Sequence, residues 1–152
     1  MVTELKENTE ILFRNIESLL GSITDPDLLL ENNKWPIGEQ ILHLLNSMDA
    51  WFINPYDTAE SAIPADKRSL HSLNRCYAII KRKIDSYLCD LNKEDMFTYP
   101  EKCGFSKLEL IFAQTRHIMY HIGVINGILY AKHDRELVYS GLQSDEDNQR
   151  RT

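Results

Sequence analysis

Residues 106–131 read SKLELIFAQTRHIMYHIGVINGILYA and carry the clearest helix signal in the chain. The stretch opens with a capping box, in which the side chains of Ser106 and Glu109 satisfy free backbone N–H groups of the first turn reciprocally. Apolar residues then recur at helical spacing up to the end of the stretch. The pattern predicts a long α-helix that begins near Ser106 and ends near Ala131.

Three other segments show the same periodicity, and the sequence predicts four helices over about residues 3–20, 36–52, 69–91 and 106–131. The first ends at Gly21, where a C-terminal cap residue belongs. The second begins at Pro36, a residue that the first turn of a helix tolerates well. Four helices with one apolar stripe each bury those stripes best against one another, which predicts an all-α four-helix bundle without a sheet.

The composition excludes several classes of protein. The chain has 152 residues, of which 43% are hydrophobic and 26% charged, as expected for one globular domain. A net charge of −6 argues against a nucleic-acid-binding protein, and three cysteines without a CxxC spacing form no disulfide framework. The first residues lack the features of a signal peptide, and no apolar run approaches the roughly 18 residues that span a bilayer. We therefore expect a cytoplasmic protein that binds neither nucleic acid nor membranes.

Two histidines of the fourth segment, His117 and His121, are one helical turn apart. At about 100° of rotation per residue, both rings are predicted to lie in the middle of the core-facing stripe. This spacing lets a helix offer two nitrogen ligands to one metal ion. Buried imidazoles also need hydrogen-bond partners, since an unpaired polar group costs about 1–3 kcal/mol. The helix alone therefore leaves two interpretations open, a ligand pair or a core pair satisfied in part by Gln114.

The other three histidines give weaker signals. His43 lies on the second predicted helix, about 140° from the centre of its apolar stripe, and the angular pattern alone favours a surface residue. Its polar or small neighbours would also suit the rim of a pocket. His71, near the start of the third helix, and His133, after the fourth, are interpreted as structural.

Two stretches resemble the signatures of the DinB-like superfamily. Residues 35–47, WPIGEQILHLLNS, resemble its second-helix signature of a tryptophan, a glutamate, and a histidine followed by leucine and a small polar residue. Residues 117–123, HIMYHIG, resemble its fourth-helix signature HxxxHxG. Helix number and motif order match as well. The resemblance covers about residues 1–132 and leaves 133–152 as a C-terminal extension, predicted to be partly disordered.

The resemblance implies a DinB-like bundle with crossover connections that binds a divalent ion, zinc or nickel, through three histidines. In this chain they correspond to His43, His117 and His121. It also implies a homodimer, which Phe112 and Tyr130 favour because they lie away from the core-facing arc. Gly123 of the second motif is expected at a close helix contact, since a mid-helix glycine costs about 1 kcal/mol against alanine.

Characterised members of the superfamily include thiol-dependent transferases, isomerases and hydrolases, in which the ion activates a low-molecular-weight thiol or a water. The resemblance thus implies a metal-dependent enzyme with a small-molecule substrate, and thiol S-transfer with a thiol cosubstrate is the leading hypothesis. Candidates for contacts to the metal ligands or the substrate are Gln40, Ser47, Gln114 and Tyr120. The alternative is a non-catalytic, metal-stabilised dimeric bundle that acts as a stress-response or binding module. A fourth ligand that closes the metal site would favour this alternative.

Overall fold

Four α-helices account for most of the chain. The computed structural model describes residues 2–31, 35–50, 64–101 and 103–133, and within these ranges the protein is all-helical without a strand. The helices are α1 (Val2–Ser22), α2 (Ile37–Met48), α3 (Leu70–Asp90) and α4 (Lys107–His133). They confirm the four predicted segments. Positions 51–52 of the second predicted helix and 134–152 of the expected C-terminal extension lie outside the described residues.

The helix boundaries follow from local capping chemistry. The capping box of α4 is present, because the backbone N–H of Ser106 donates to Glu109 Oε2 at 2.8 Å and the N–H of Glu109 donates to Ser106 Oγ at 3.3 Å. At the start of α3, Ser69 Oγ accepts a hydrogen bond from the Ser72 N–H. The prediction for Gly21 was wrong, since α1 continues through it to Ser22.

Two short 3-10 helices, Asp25–Leu29 and Asp95–Phe97, lie between the four helices that the sequence predicted. The first is fixed by a side-chain contact, in which Asp27 accepts hydrogen bonds from the backbone N–H and the hydroxyl of Thr24. A single turn is too short to show helical periodicity, which is why the pattern missed both.

The helices pack in a ring rather than in chain order. Helix α4 packs against α1 and α2, and α3 also packs against both of them, while the α2–α4 contact is the most extensive. Buried apolar side chains from all four helices fill the centre, for example Phe13, Leu45, Ile80 and Ile125. Burying each such side chain contributes about 1.5–3 kcal/mol. None of the described helices is both long and apolar enough to cross a membrane.

Gly38, in the first turn of α2, lies at the closest backbone contact that involves a described glycine. A Cβ atom at this position would lie 1.9 Å from the carbonyl oxygen of Lys67. The missing side chain therefore lets the segment before α3 lie directly on α2. As a result, the side chain of Lys67 reaches Glu39, with which it forms an ion pair.

The expectation of a close helix contact at Gly123 was wrong for the described part of the chain. Gly123 is exposed, and a Cβ atom added there would meet no heavy atom within 4 Å. Phe112 and Tyr130 are exposed as well, by 46% and 53% respectively, as their positions away from the core-facing arc predicted. Helix α4 thus presents an outward face that contains both aromatic and small residues.

Candidate metal centre

Three histidines from two helices meet between α2 and α4. His117 Nε2 lies 3.3 Å from His43 Nε2 and 3.1 Å from His121 Nε2. One ligand nitrogen from each ring lies within 4.8 Å of the other two. The structure therefore brings together, at metal-binding distance, the three residues that the resemblance named.

The spacing of the nitrogens fits a shared ion. Bonds of about 2.0–2.1 Å in a tetrahedral arrangement place two ligand nitrogens about 3.3–3.4 Å apart. The observed separations of 3.3 and 3.1 Å are close to this value. Imidazole nitrogens suit zinc, nickel, copper and iron, so the donor set alone does not choose among them.

Hydrogen bonds among the three rings leave part of the hydrogen-bonding capacity of their nitrogens unused. His117 Nδ1 lies 3.3 Å from Gln114 Oε1, which assigns the proton to Nδ1 and leaves the Nε2 lone pair facing the other two rings. One lone pair accepts only one good hydrogen bond, although two nitrogens approach it. Moreover, His121 Nδ1 is buried and has no hydrogen-bond partner among the described residues. A divalent cation would instead accept the lone pairs of all three Nε2 atoms.

The electrostatic surroundings keep two of the rings neutral. Burial lowers the pKa of His117, and the neighbouring His43 lowers it further. Burial, then the His117 and His43 rings, lowers the pKa of His121 to about 4. Neutral rings retain the lone pairs that a metal ligand needs, so both are ready to bind an ion at pH 7.

His43 is not the surface residue that the angular pattern favoured. It is partly buried, and its ring meets the indole of Trp35 edge to face at a centroid distance of 5.2 Å. The same indole stacks parallel to the ring of His121 at 6.4 Å. The angular pattern considers one helix at a time. It could not show that α4 and Trp35, which lie outside α2, cover the side of α2 that carries His43.

The placement of His117 and His121 in the middle of the core-facing stripe was also wrong. The most buried residues of α4 include Ile118, Ile125 and Leu129. The centre of the stripe that these three residues form lies about 100° from His117 and about 60° from His121. Accordingly, His117 is only partly buried, while His121 is 7% exposed. The two histidines therefore lie at the edge of the buried stripe rather than at its centre.

The four candidate contact residues take different positions. Gln114 reaches His117 as described, and the ring of Tyr120 lies 5.3 Å from that of His121 while remaining largely exposed. Gln40 is buried but donates a hydrogen bond to the carbonyl oxygen of Trp35 at 3.1 Å, so it supports the segment that carries the indole. Ser47 is buried one turn after His43 and forms no hydrogen bond with the three histidines.

A cleft of about 280 Å³ opens beside His43. Its walls are formed by Trp35, Glu39, Leu42, His43, Asn46 and Lys67. Because His43 belongs both to this wall and to the histidine cluster, a molecule in the cleft would lie beside one of the three metal-ligand candidates. Sequence reasoning missed Asn46 and Lys67. Asn46 follows His43 by three positions on the same helical face, a signal that was available, but Lys67 lies in a loop and gave none.

The two remaining histidines do not extend the cluster within the described residues. His71 is exposed on α3 and is not part of the cluster, and the side chain of His133 lies outside the described part of the chain. No protein-family model matches this chain, and neither the curated proteins nor the solved structures contain a significant match to it.

Proposed function

We propose that this chain is a DinB-like metal protein in which His43, His117 and His121 hold zinc or nickel, and that it acts as a metal-dependent thiol S-transferase. The convergence of three imidazole nitrogens, 3.1 and 3.3 Å apart in the two closest pairs, is the observation that carries the proposal. The two sequence signatures that suggested the superfamily contain all three of these residues.

The surroundings of the cluster favour an enzyme over the structural alternative. In the described ranges, no fourth histidine, cysteine, aspartate or glutamate joins the three rings. Three protein ligands with an open position are typical of catalytic sites, whereas structural sites are usually closed by a fourth. His43 also lines a neighbouring cleft, through which a small molecule would approach that position. An ion held there would lower the pKa of a bound thiol or water.

The chain's own residues have separable roles in this proposal. The three histidines supply the ligand nitrogens, and Gln114 orients the His117 ring by accepting a hydrogen bond from its Nδ1–H. Trp35 lies against two of the rings and shields them on one side from solvent. Glu39 is engaged with Lys67, so we assign no general base.

The packing order supports a DinB-like topology. In the described structure α1 and α2 are not main packing partners, and neither are α3 and α4. Connections between helices that are not neighbours have to cross the bundle, as the crossover connections of the superfamily do. The proposal of this topology rests on the packing order together with the two signatures.

We also propose that two copies associate through the outward face of α4. Phe112, Tyr120 and Tyr130 are each exposed by 46% or more, and Gly123 and Gly127 leave open space on the same helix. A helix that is apolar on its inner and outer faces is normally covered on both. Glycines let a second backbone approach closely, and a dimer would bury at least about 1,000 Å² in total.

Sedimentation of the wild type and of Gly127→Leu across micromolar concentrations tests the proposed dimer. The wild type should form a dimer that the variant weakens, and a monomeric wild type would contradict it.

The enzymatic proposal is tested by conjugating thiols to an aromatic electrophile. Zinc- and nickel-loaded wild type should accelerate the conjugation, while the metal-free protein and the His121→Ala variant should not. Cobalt-substituted protein should in parallel show a thiolate-to-metal absorption band when thiol is added. If the protein holds the ion but shows neither effect with any thiol, the structural alternative replaces the enzyme.

A further inference from the structure

We propose that the cleft beside His43 binds the head group of a small zwitterion, a molecule that carries both a carboxylate and an ammonium group. The role of the reactive end of such a molecule rests on the proposed function, because that end would reach the three histidines. The head-group site itself depends on Glu39, Lys67 and Asn46. The substrate that we propose for the site is therefore amino-acid-like.

The first observation is an ion pair in the wall of the cleft that has unused hydrogen-bond donors and an unused acceptor. Lys67 Nζ donates to Glu39 Oε1, and both side chains are partly exposed to the cleft. An ammonium group has three N–H donors and a carboxylate has two acceptor oxygens. Among the residues that the structure describes, neither side chain forms a second hydrogen bond. Two donors of Lys67 and Oε2 of Glu39 therefore remain for a ligand.

A zwitterion complements this pair without breaking it. Its carboxylate would accept from Lys67, while its ammonium group would donate to Glu39, and the four charges then alternate around a ring. A ligand with only one charge meets an attractive partner and, beside it, a group of its own sign. The pair thus discriminates between a zwitterion and either singly charged molecule.

The second observation is an unpaired acceptor beside the pair. Asn46 Oδ1 is buried and has no hydrogen-bond partner among the described residues. A buried acceptor without a partner costs about 1–3 kcal/mol, so a ligand N–H that reached it would relieve that cost. Glu39, His43 and Asn46 follow at spacings of four and three residues and share one face of α2. The Asn46 side chain consequently lines the same cleft as Glu39 and His43.

The size and walls of the cleft limit the occupant to a small molecule. Sites for drug-sized ligands usually measure about 300–1,000 Å³, and this cleft of about 280 Å³ is just below that range. Trp35 and Leu42 provide apolar walls that suit a short aliphatic chain between the head group and the reactive end. Gly38 lets the Lys67 backbone lie against α2, and the ion pair with Glu39 positions the ammonium group before a ligand arrives.

The test uses three thioethers that have no free thiol and differ in the charged groups that they carry. They are S-methyl-L-cysteine, which is a zwitterion, 2-(methylthio)ethylamine, which lacks the carboxylate, and 3-(methylthio)propanoic acid, which lacks the ammonium group. Each is titrated into the full chain, as purified and after zinc loading, while NMR follows the Trp35 indole and the Asn46 side-chain amide. The zwitterion should bind at least about threefold tighter than either analogue, as expected for partly exposed charge pairs.

Two variants assign the preference to the two charges. Lys67→Met should make the zwitterion and the amine bind equally, and Glu39→Gln should do the same for the zwitterion and the acid. Lys93→Met, which changes an exposed lysine outside the cleft, should retain the full preference. Equal binding of the three molecules to the wild type, or no shift of either signal with any of them, would overturn the proposal. The thioethers have no thiolate, so such a failure leaves the metal centre standing, whereas failure to bind an ion would refute the centre alone.

Discussion

His43 Nε2 lies 3.3 Å from His117 Nε2, although 74 positions separate the two residues in the chain. One residue comes from α2 and the other from α4, and these two helices form the most extensive contact of the fold. An ion shared by the two rings would therefore connect the helices directly. Because the unfolded chain does not hold the nitrogens together, binding of the ion should stabilise the folded state.

Zinc should raise the thermal stability of the protein measurably. At a free concentration 100-fold above the dissociation constant, binding to the folded state alone contributes about 2.7 kcal/mol. Thermal unfolding followed by circular dichroism should show a higher midpoint with zinc, and a chelator should reverse the change. An unchanged midpoint at saturating zinc would contradict the link between α2 and α4.

Replacing Gln114 with leucine should weaken metal binding without removing a ligand. Its Oε1 atom accepts from His117 Nδ1, and loss of such a supporting contact typically lowers metal affinity by about 10–100-fold. Competition with a chromophoric chelator measures the affinity. Thr115→Ala is the matched control, because the Thr115 hydroxyl donates to the Ile111 carbonyl and not to a histidine. Equal affinity of wild type and Gln114→Leu would show that the His117 ring needs no such support.

Much of the fold follows from local sequence, because helices are specified over a few residues. The capping box at Ser106 and the periodicity of the four segments required no knowledge of distant residues, and both were confirmed. The chain between the helices was harder. The single 3-10 turn at Asp25–Leu29 carries no period, so the pattern treated it as a break.

The site was less accessible to sequence reasoning, because it depends on contacts between elements. The angular pattern of α2 assigned His43 to the surface, and only the resemblance joined it to His117 and His121. The ion pair between Glu39 and Lys67 joins α2 to the segment before α3 and follows from the close backbone contact at Gly38. No spacing along the chain encodes such a contact. Three-dimensional packing decides it.

Gly38→Ala should destabilise the fold, although alanine is the better helix former. The new Cβ atom would lie 1.9 Å from the Lys67 carbonyl oxygen, and a backbone atom cannot move away as cheaply as a side-chain end. We expect a loss of about 1–3 kcal/mol in urea denaturation, the usual range for overpacking. In Gly21→Ala, the control on α1, the methyl group would meet no heavy atom within 4 Å. That variant should match or exceed the wild type by up to about 1 kcal/mol. A Gly38→Ala protein as stable as the control would refute the packing account.

Tyr77 should make stability fall with rising pH in the alkaline range. Its hydroxyl donates its one proton to Glu17 Oε1 at 3.0 Å, and its oxygen also lies 3.3 Å from the Phe13 carbonyl oxygen. Burial, followed by Glu17, raises the pKa of Tyr77 well above the usual value. The unfolded chain loses this proton near pH 10 while the folded chain keeps it, so the stabilisation is complete below about pH 10 and declines above it. The free energy of unfolding of Tyr77→Phe should be about 1 kcal/mol below that of the wild type at pH 8. It should fall less than that of the wild type between pH 8 and pH 11, as measured by urea denaturation. Parallel pH profiles would contradict this prediction.

The central claim is tested most directly by counting bound metal. Wild type and the variants His43→Ala, His121→Ala and His71→Ala would be reconstituted identically with zinc, dialysed and analysed for metal and helix content. His71 is the matched control, since it is an exposed histidine of α3 outside the cluster. Wild type and His71→Ala should each hold about one ion per chain, as a three-ligand site requires. The His43 and His121 variants should lose most of it while retaining their helices. Equal metal content in all four proteins would show that the three rings do not form a metal site.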